Sequence, residues 1–220
     1  MNVTFILLTL LIGALLTFVA GKKMALPIAI TSSAVALVLT ALFICDFQHG
    51  TNVSYQTQWM IKPNISFALK ADGLSLLMVL LTTFLTPLIL LTAVGKEFKN
   101  PHKLYALVLF MAFAMAGTFL AEDGFLYYIF WELALLPIFF IALIWGNDTW
   151  EVRKKAILKF FIYTFAGSLF MLIAFLFLYQ KAESFLLPNL LQVSLTGSEQ
   201  TWIFLAFFLS TKYDFKIPFS

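Results

Sequence analysis

Apolar residues along this chain fall in long unbroken blocks, with polar residues gathered between them. A soluble fold alternates the two at a period of 2 or 3.6, and that pattern is absent here. Six blocks (3–20, 24–45, 74–94, 104–121, 125–145 and 157–179) are long enough to cross a bilayer as helices rising 1.5 Å per residue. A seventh starts at Trp202 and loses its apolar character after Leu209, so 202–220 reads as a partial, broken span. The polar stretch 46–71 reads as an extramembrane loop broken by Pro63. Asp72 before Gly73 fits a helix start, where a carboxylate caps free backbone amides.

Composition sharpens the class. Hydrophobic residues make up 62% of the chain and charged residues 11%, and phenylalanine alone occurs 26 times. Those values exclude an ordinary soluble domain. The expected fold is all-α: a polytopic helical membrane protein with about six complete transmembrane helices and the partial seventh, forming one transmembrane unit over 1–220. The first block has no basic residue before it, and Lys22 and Lys23 follow it. That is the reverse of an export signal, so it reads as a retained helix.

Charge then sets an orientation. The connectors after helices one, three and five hold Lys22, Lys23, Lys96, Lys99, Lys103, Arg153, Lys154 and Lys155, with Lys159 one turn inside helix six. Those after helices two, four and six hold only Lys62, Lys70 and Lys181. The positive-inside rule places the richer set in the cytoplasm and the N-terminus on the other face. The net charge of +3 is thus a membrane feature, and the partner is the lipid bilayer, not nucleic acid. The single cysteine, Cys45, forms no internal disulfide and reads as packing. His49 and His102 lie in separate polar connectors without ligand-like companions, and no metal site is expected.

Against this background Glu132 stands alone in an uncharged run, 125–145. An ionisable group at the centre of a spanning helix costs about 2.5–3.5 kcal/mol to insert, so it is retained for a reason. The functional reading is a proton carrier; the plain one is a neutral, hydrogen-bonded glutamate. Pro137 has no amide hydrogen to offer the Leu133 carbonyl, which leaves a polar group free one residue from the acid, or simply a packing kink. Two lysines are candidate partners. Lys159 either snorkels to the surface or joins a proton path. Lys216, followed by Ile217 and Pro218, lies where a proline interrupts the seventh block, a device of transporter midplanes. Tyr163, Thr164 and Ser168 offer hydroxyls either to a hydrated path or to helix packing.

Three segments carry a family resemblance. Ala71-Asp72-Gly73-Leu74-Ser75-Leu76, leading to a Leu/Thr-rich helix with Pro87, resembles the start of helix three in the antiporter-like membrane subunits of respiratory complex I, of the chain M type (subunit four in mitochondria). Phe130-Trp131-Glu132 followed by Pro137 resembles that family's helix-five signature, and Arg153 through Ser168 resembles its helix six. The resemblance runs from residue 1 to about 209. It implies that Glu132 is the essential proton-channel acid, and that it pairs with a lysine in a broken helix seven, whose Lys-apolar-Pro pattern Lys216-Ile217-Pro218 fits. It implies a subunit of a proton-translocating NADH:quinone oxidoreductase in an inner membrane. Quinone reduction elsewhere drives changes in Glu–Lys pairing, other membrane subunits are the partners, and this chain binds no flavin, iron–sulfur cluster or nicotinamide.

The C-terminus departs from that pattern. After Leu209 come two extra charges, Lys212 and Asp214, and the chain stops at Ser220 before the family's next segment. A fragment, a frameshifted gene or a truncated paralogue is expected on that ground. The alternative readings are a subunit of a multi-component cation/proton antiporter or of a membrane-bound hydrogenase, or a membrane fragment that pumps nothing.

Overall fold

In the computed structural model, residues 3–48, 54–60 and 63–213 are described. Eight helices and one hairpin follow in the order α1 (Thr4–Val19), α2 (Gly21–Gln48), β1 (Ser54–Met60), β2 (Ile65–Lys70), α3 (Gly73–Leu91), α4 (Pro101–Leu120), α5 (Gly124–Trp145), α6 (Trp150–Ala182), α7 (Leu187–Leu190) and α8 (Gly197–Tyr213). The protein is an all-α, multi-pass membrane protein. Five helices, α2 to α6, are long and apolar enough to cross a membrane, whereas α1, at 16 residues, falls short of that length. The expectation of six full spans is corrected on that point.

Helix α4 is the centre of the first bundle and packs against α1, α2, α3 and α5. Its buried face is built from small residues, Ala106, Ala112, Ala116 and Gly117 among them, which let neighbouring helices approach closely. A second apolar cluster joins α5, α6 and α8 through Tyr128, Met171, Phe175 and Leu178, with Phe207 packed against them. Helix α5 therefore belongs to both clusters and links the two halves of the molecule. The turn from α1 into α2 is tight. Gly21 makes it by adopting φ +72°, a left-handed conformation that side chains disfavour.

Three local differences from the sequence reading have physical causes. The connector expected as a loop contains an antiparallel hairpin, with Ser54 opposite Lys70 and the register shifting between Gln58 and Met60. Two strands alone are marginal in water, and this pair is held by what it docks on. Helix α6 begins at Trp150 instead of 157 and runs for 33 residues. That is about 50 Å of helix against about 30 Å of hydrocarbon, so its polar first turns continue the helix past the membrane edge. Helix α8 likewise starts at Gly197, ahead of Trp202, with the acidic Glu199 in its first turn, where it favours the helix dipole.

The hairpin docks through backbone bonds on the turn between α4 and α5. The Glu122 amide donates to the Ala68 carbonyl at 2.9 Å, and the Leu187 amide donates to the Glu122 carbonyl at 2.9 Å. Isolated bridges pair Leu69 with Ala121 and Asp123 with Leu186. Strand β2, the α4–α5 turn and the segment before α7 so form a small extended layer at one end of the helices. At the start of α3, Asp72 accepts the Ser75 amide at 2.7 Å and its own amide donates to Ser75 Oγ at 2.7 Å, a reciprocal cap.

Candidate functional site

Helix α5 starts at a buried carboxylate. Asp123 is fully buried, and its Oδ1 accepts the amides of Phe125 at 2.9 Å and Leu126 at 3.2 Å. Its Oδ2 accepts the Ser66 amide from β2 at 3.1 Å. The far end of α5 is held as well, because Trp145 Nε1 donates to the Lys99 carbonyl in the α3–α4 connector at 2.8 Å. Between these anchors the helix turns through Pro137, which is buried and supplies no amide to the Leu133 carbonyl.

Close packing fixes the rotation of α5 about its axis. A β-carbon added to Gly117 of α4 would overlap the Phe130 ring, so the absence of a side chain is what lets Phe130 seat against α4. Phe130 also meets Phe113 edge-on, at 5.6 Å between ring centroids. With Phe130 facing α4, Glu132 two residues on is turned toward α6. Its Oε1 is buried and has no hydrogen-bond partner. The hydroxyls of Tyr128, one turn back on α5, and Ser168 of α6 stand beside its carboxylate, within electrostatic and hydrogen-bonding reach.

The α6 side of this site is polar and buried. Ser168 is 1% exposed and donates to the Phe165 carbonyl at 2.8 Å. Thr164, one turn earlier, is 3% exposed, and its Oγ1 has no partner. Buried threonines elsewhere, such as Thr82, Thr86 and Thr118, return their hydroxyl to a carbonyl of their own helix. Thr164 does not. An orphaned carboxylate oxygen and an orphaned hydroxyl on neighbouring helices are the chemistry of a site that takes water or a transferable proton.

The sequence-derived candidates divide. Glu132 and Ser168 are brought to one helix interface, and Thr164 is buried one turn before Ser168. Tyr163 is 47% exposed and faces away from it. Lys159 is exposed and lies nine residues, about 13 Å along the axis, from Ser168. Lys216 lies outside the described residues, as does His49. Two site residues had not been singled out from sequence. Tyr128 sits four residues before Glu132, a spacing that puts both on one helix face. Asp123 immediately precedes α5 and stands two residues before the apolar run, the ordinary mark of an N-cap. Among the described residues, no three His, Cys, Asp or Glu side chains gather as a metal site.

Comparison with known proteins places this geometry in context. Residues 121–219 match the family model described as NADH:quinone oxidoreductase/Mrp antiporter, transmembrane. The chain is 36% identical to NADH-ubiquinone oxidoreductase chain 4 of Metridium senile, over 90% of its own length and 40% of that relative. It is 32% identical to NADH-quinone oxidoreductase subunit M of Rickettsia prowazekii, over 90% of its length and 41% of that relative. Among solved structures it superposes on a chain of respiratory complex I from Thermus thermophilus with a TM-score of 0.83 at 25% identity, covering 94% of this chain and 43% of that one. The chain thus spans about two fifths of the length of these relatives.

Proposed function

The chain belongs to the NADH:quinone oxidoreductase/Mrp antiporter transmembrane family, of the subunit M and chain 4 type, and from that premise we propose that it carries protons across a respiratory membrane. In this reading it is a membrane subunit of a NADH:quinone oxidoreductase. Glu132 is the acid that loads and releases the proton, and redox chemistry takes place in other subunits. The chain itself holds no flavin, iron–sulfur cluster or nicotinamide, and its lysine-rich end faces the cytoplasm, with the N-terminus opposite.

The observation that carries the reading is the Glu132 carboxylate. It sits inside an apolar helix with one oxygen unpartnered, beside the hydroxyls of Ser168 on α6 and Tyr128 on its own helix. Ser168 gives the site a way to respond. Its hydroxyl proton goes to the Phe165 carbonyl, and a side-chain rotation would offer it to Glu132 instead. Thr164, a turn toward the lysine-rich end, extends the polar face in the direction of Lys159, which then serves at the surface as a charge that draws in or repels protons. Lys216, in its Lys-Ile-Pro pattern, is the proposed ion-pair partner whose approach favours the ionised acid and whose withdrawal favours the protonated one. Alternation between the two moves a proton when quinone reduction elsewhere shifts the pairing.

The experiment is Glu132→Gln in the assembled complex in membrane vesicles, with quinone reduction and proton uptake measured together. The substitution keeps size and shape and removes the titrating group. Proton uptake per quinone reduced should fall at unchanged assembly. Unchanged uptake at unchanged assembly removes the relay role, and loss of assembly assigns Glu132 to structure. The identity to subunit M and chain 4 relatives favours the oxidoreductase over a multi-component cation/proton antiporter or a membrane-bound hydrogenase.

A further inference from the structure

Away from Glu132, a groove of about 380 Å³ runs between α1, α4 and α5 near their lysine-rich ends. Its lining is apolar, with Leu15 and Phe18 of α1, Phe110 of α4 and Phe140 of α5 around the small side chains of Ala14 and Ala106. Lys103 is the one charged residue among those that line it. The volume lies in the range of about 300–1,000 Å³ typical of clefts that hold small molecules.

The rim of the groove is built for an anion. Lys103 is exposed, and among the described residues no carboxylate lies within salt-bridge distance of it. It stands in the first turn of α4, where no side chain caps the helix and the dipole presents its positive end. Phe18 meets His102 at 6.3 Å between ring centroids, which ties the end of α1 to the start of α4. Trp145 reaches the Lys99 carbonyl, which brings the end of α5 there too. The His102 Nδ1 is buried there without a partner. An apolar slot with an unpaired lysine at its mouth, beside a helix N-terminus, suits an acyl chain joined to a negatively charged head.

We propose that this groove binds an anionic phospholipid, with one acyl chain lying against Phe18, Phe110 and Phe140 and its phosphate held by Lys103. The inference does not depend on the proton relay, because neither Glu132 nor Ser168 lines the groove.

The test is native mass spectrometry of the full chain released from mild detergent, with equal amounts of phosphatidylglycerol and phosphatidylcholine. Phosphatidylglycerol adducts should survive several-fold better than phosphatidylcholine adducts. Lys103→Gln should bring the ratio close to one, while Lys155→Gln, outside the groove, should leave it unchanged. Excess inorganic phosphate should not displace the bound lipid. Equal retention of the two lipids by the wild-type chain, or an undiminished preference in Lys103→Gln, overturns the proposal. A phosphatidylglycerol carrying a photoreactive acyl chain gives an independent reading on the unsubstituted protein in its native membrane. Label within residues 103–110 supports the site; label confined to other helices, or capture of a protein by a photoreactive residue placed at Leu107, overturns it.

Discussion

Asp123 and Ser66 lie 57 residues apart in sequence and are joined by one bond, from the Ser66 amide to Asp123 Oδ2 at 3.1 Å. The same carboxylate caps α5 through the amides of Phe125 and Leu126. One side chain thus fastens the hairpin to the helix that carries Glu132. Asp123→Ala strands three amide donors in a buried place and should destabilise the detergent-solubilised protein by about 2–3 kcal/mol. Asp123→Asn keeps an acceptor oxygen and should cost less. Thermal unfolding followed by circular dichroism measures both, and equal melting temperatures for wild type and Asp123→Ala would remove Asp123 as a fastening.

The two capping carboxylates should respond to pH in opposite senses. Burial lifts the Asp123 carboxyl above its ordinary range, against the pull of the Ser66, Leu126 and Phe125 amides. Its folded value is the higher one, so its contribution is complete below the ordinary carboxylate value and is lost as pH rises through the folded value. Asp72 is held below the ordinary range, chiefly by the Ser75 amide. Its contribution is complete above the ordinary value and is lost as pH falls through the folded one. Melting temperatures between about pH 3 and 7 should show Asp123→Asn flattening the loss on the rising side, and Asp72→Asn the loss on the acid side.

Gly117→Ala places a methyl group where the Phe130 ring stands. Overpacking of this kind costs about 1–3 kcal/mol. Trimming the ring should relieve it, so the doubly substituted Gly117→Ala, Phe130→Leu protein should be more stable than the sum of the two single losses implies. Strict additivity in a thermal unfolding cycle would mean that the contact does not set the seating of α5.

Ser168→Ala removes the hydroxyl that can turn between Phe165 and Glu132. If the relay operates as proposed, proton uptake per quinone reduced should fall. Assembly should be unchanged. Ser168→Thr retains a hydroxyl and should recover part of the loss. Equal uptake in wild type and Ser168→Ala would confine Ser168 to helix packing.

How much of this was legible beforehand depends on the range of the forces involved. Helices such as α3 and α5 follow from apolar runs, and the start of α3 also from its capping Asp72, a local signal. Glu132 stands out because a lone charge in such a run is costly. The hairpin was not legible, because Ser54–Met60 is almost wholly exposed and the bonds that dock β2 reach residues over 50 positions away. The early start of α6 was hidden for a different reason: turns that leave the membrane carry no apolar signature. Ser168 was visible as a hydroxyl, but only the packing of α6 on α5 puts it beside Glu132.

The two anchors of α5 bear on how the site can change. Its first turn is tied to β2 through Asp123, and its last to the α3–α4 connector through Trp145. Gly117 and Phe130 lock its rotation between those ties. Helix α5 is therefore a fixed post on which the acid is mounted. Any cycle of approach and separation at Glu132 falls to what surrounds it: the hydroxyls of α6, the helix α8 packed behind them, and whatever cation that side of the molecule brings forward.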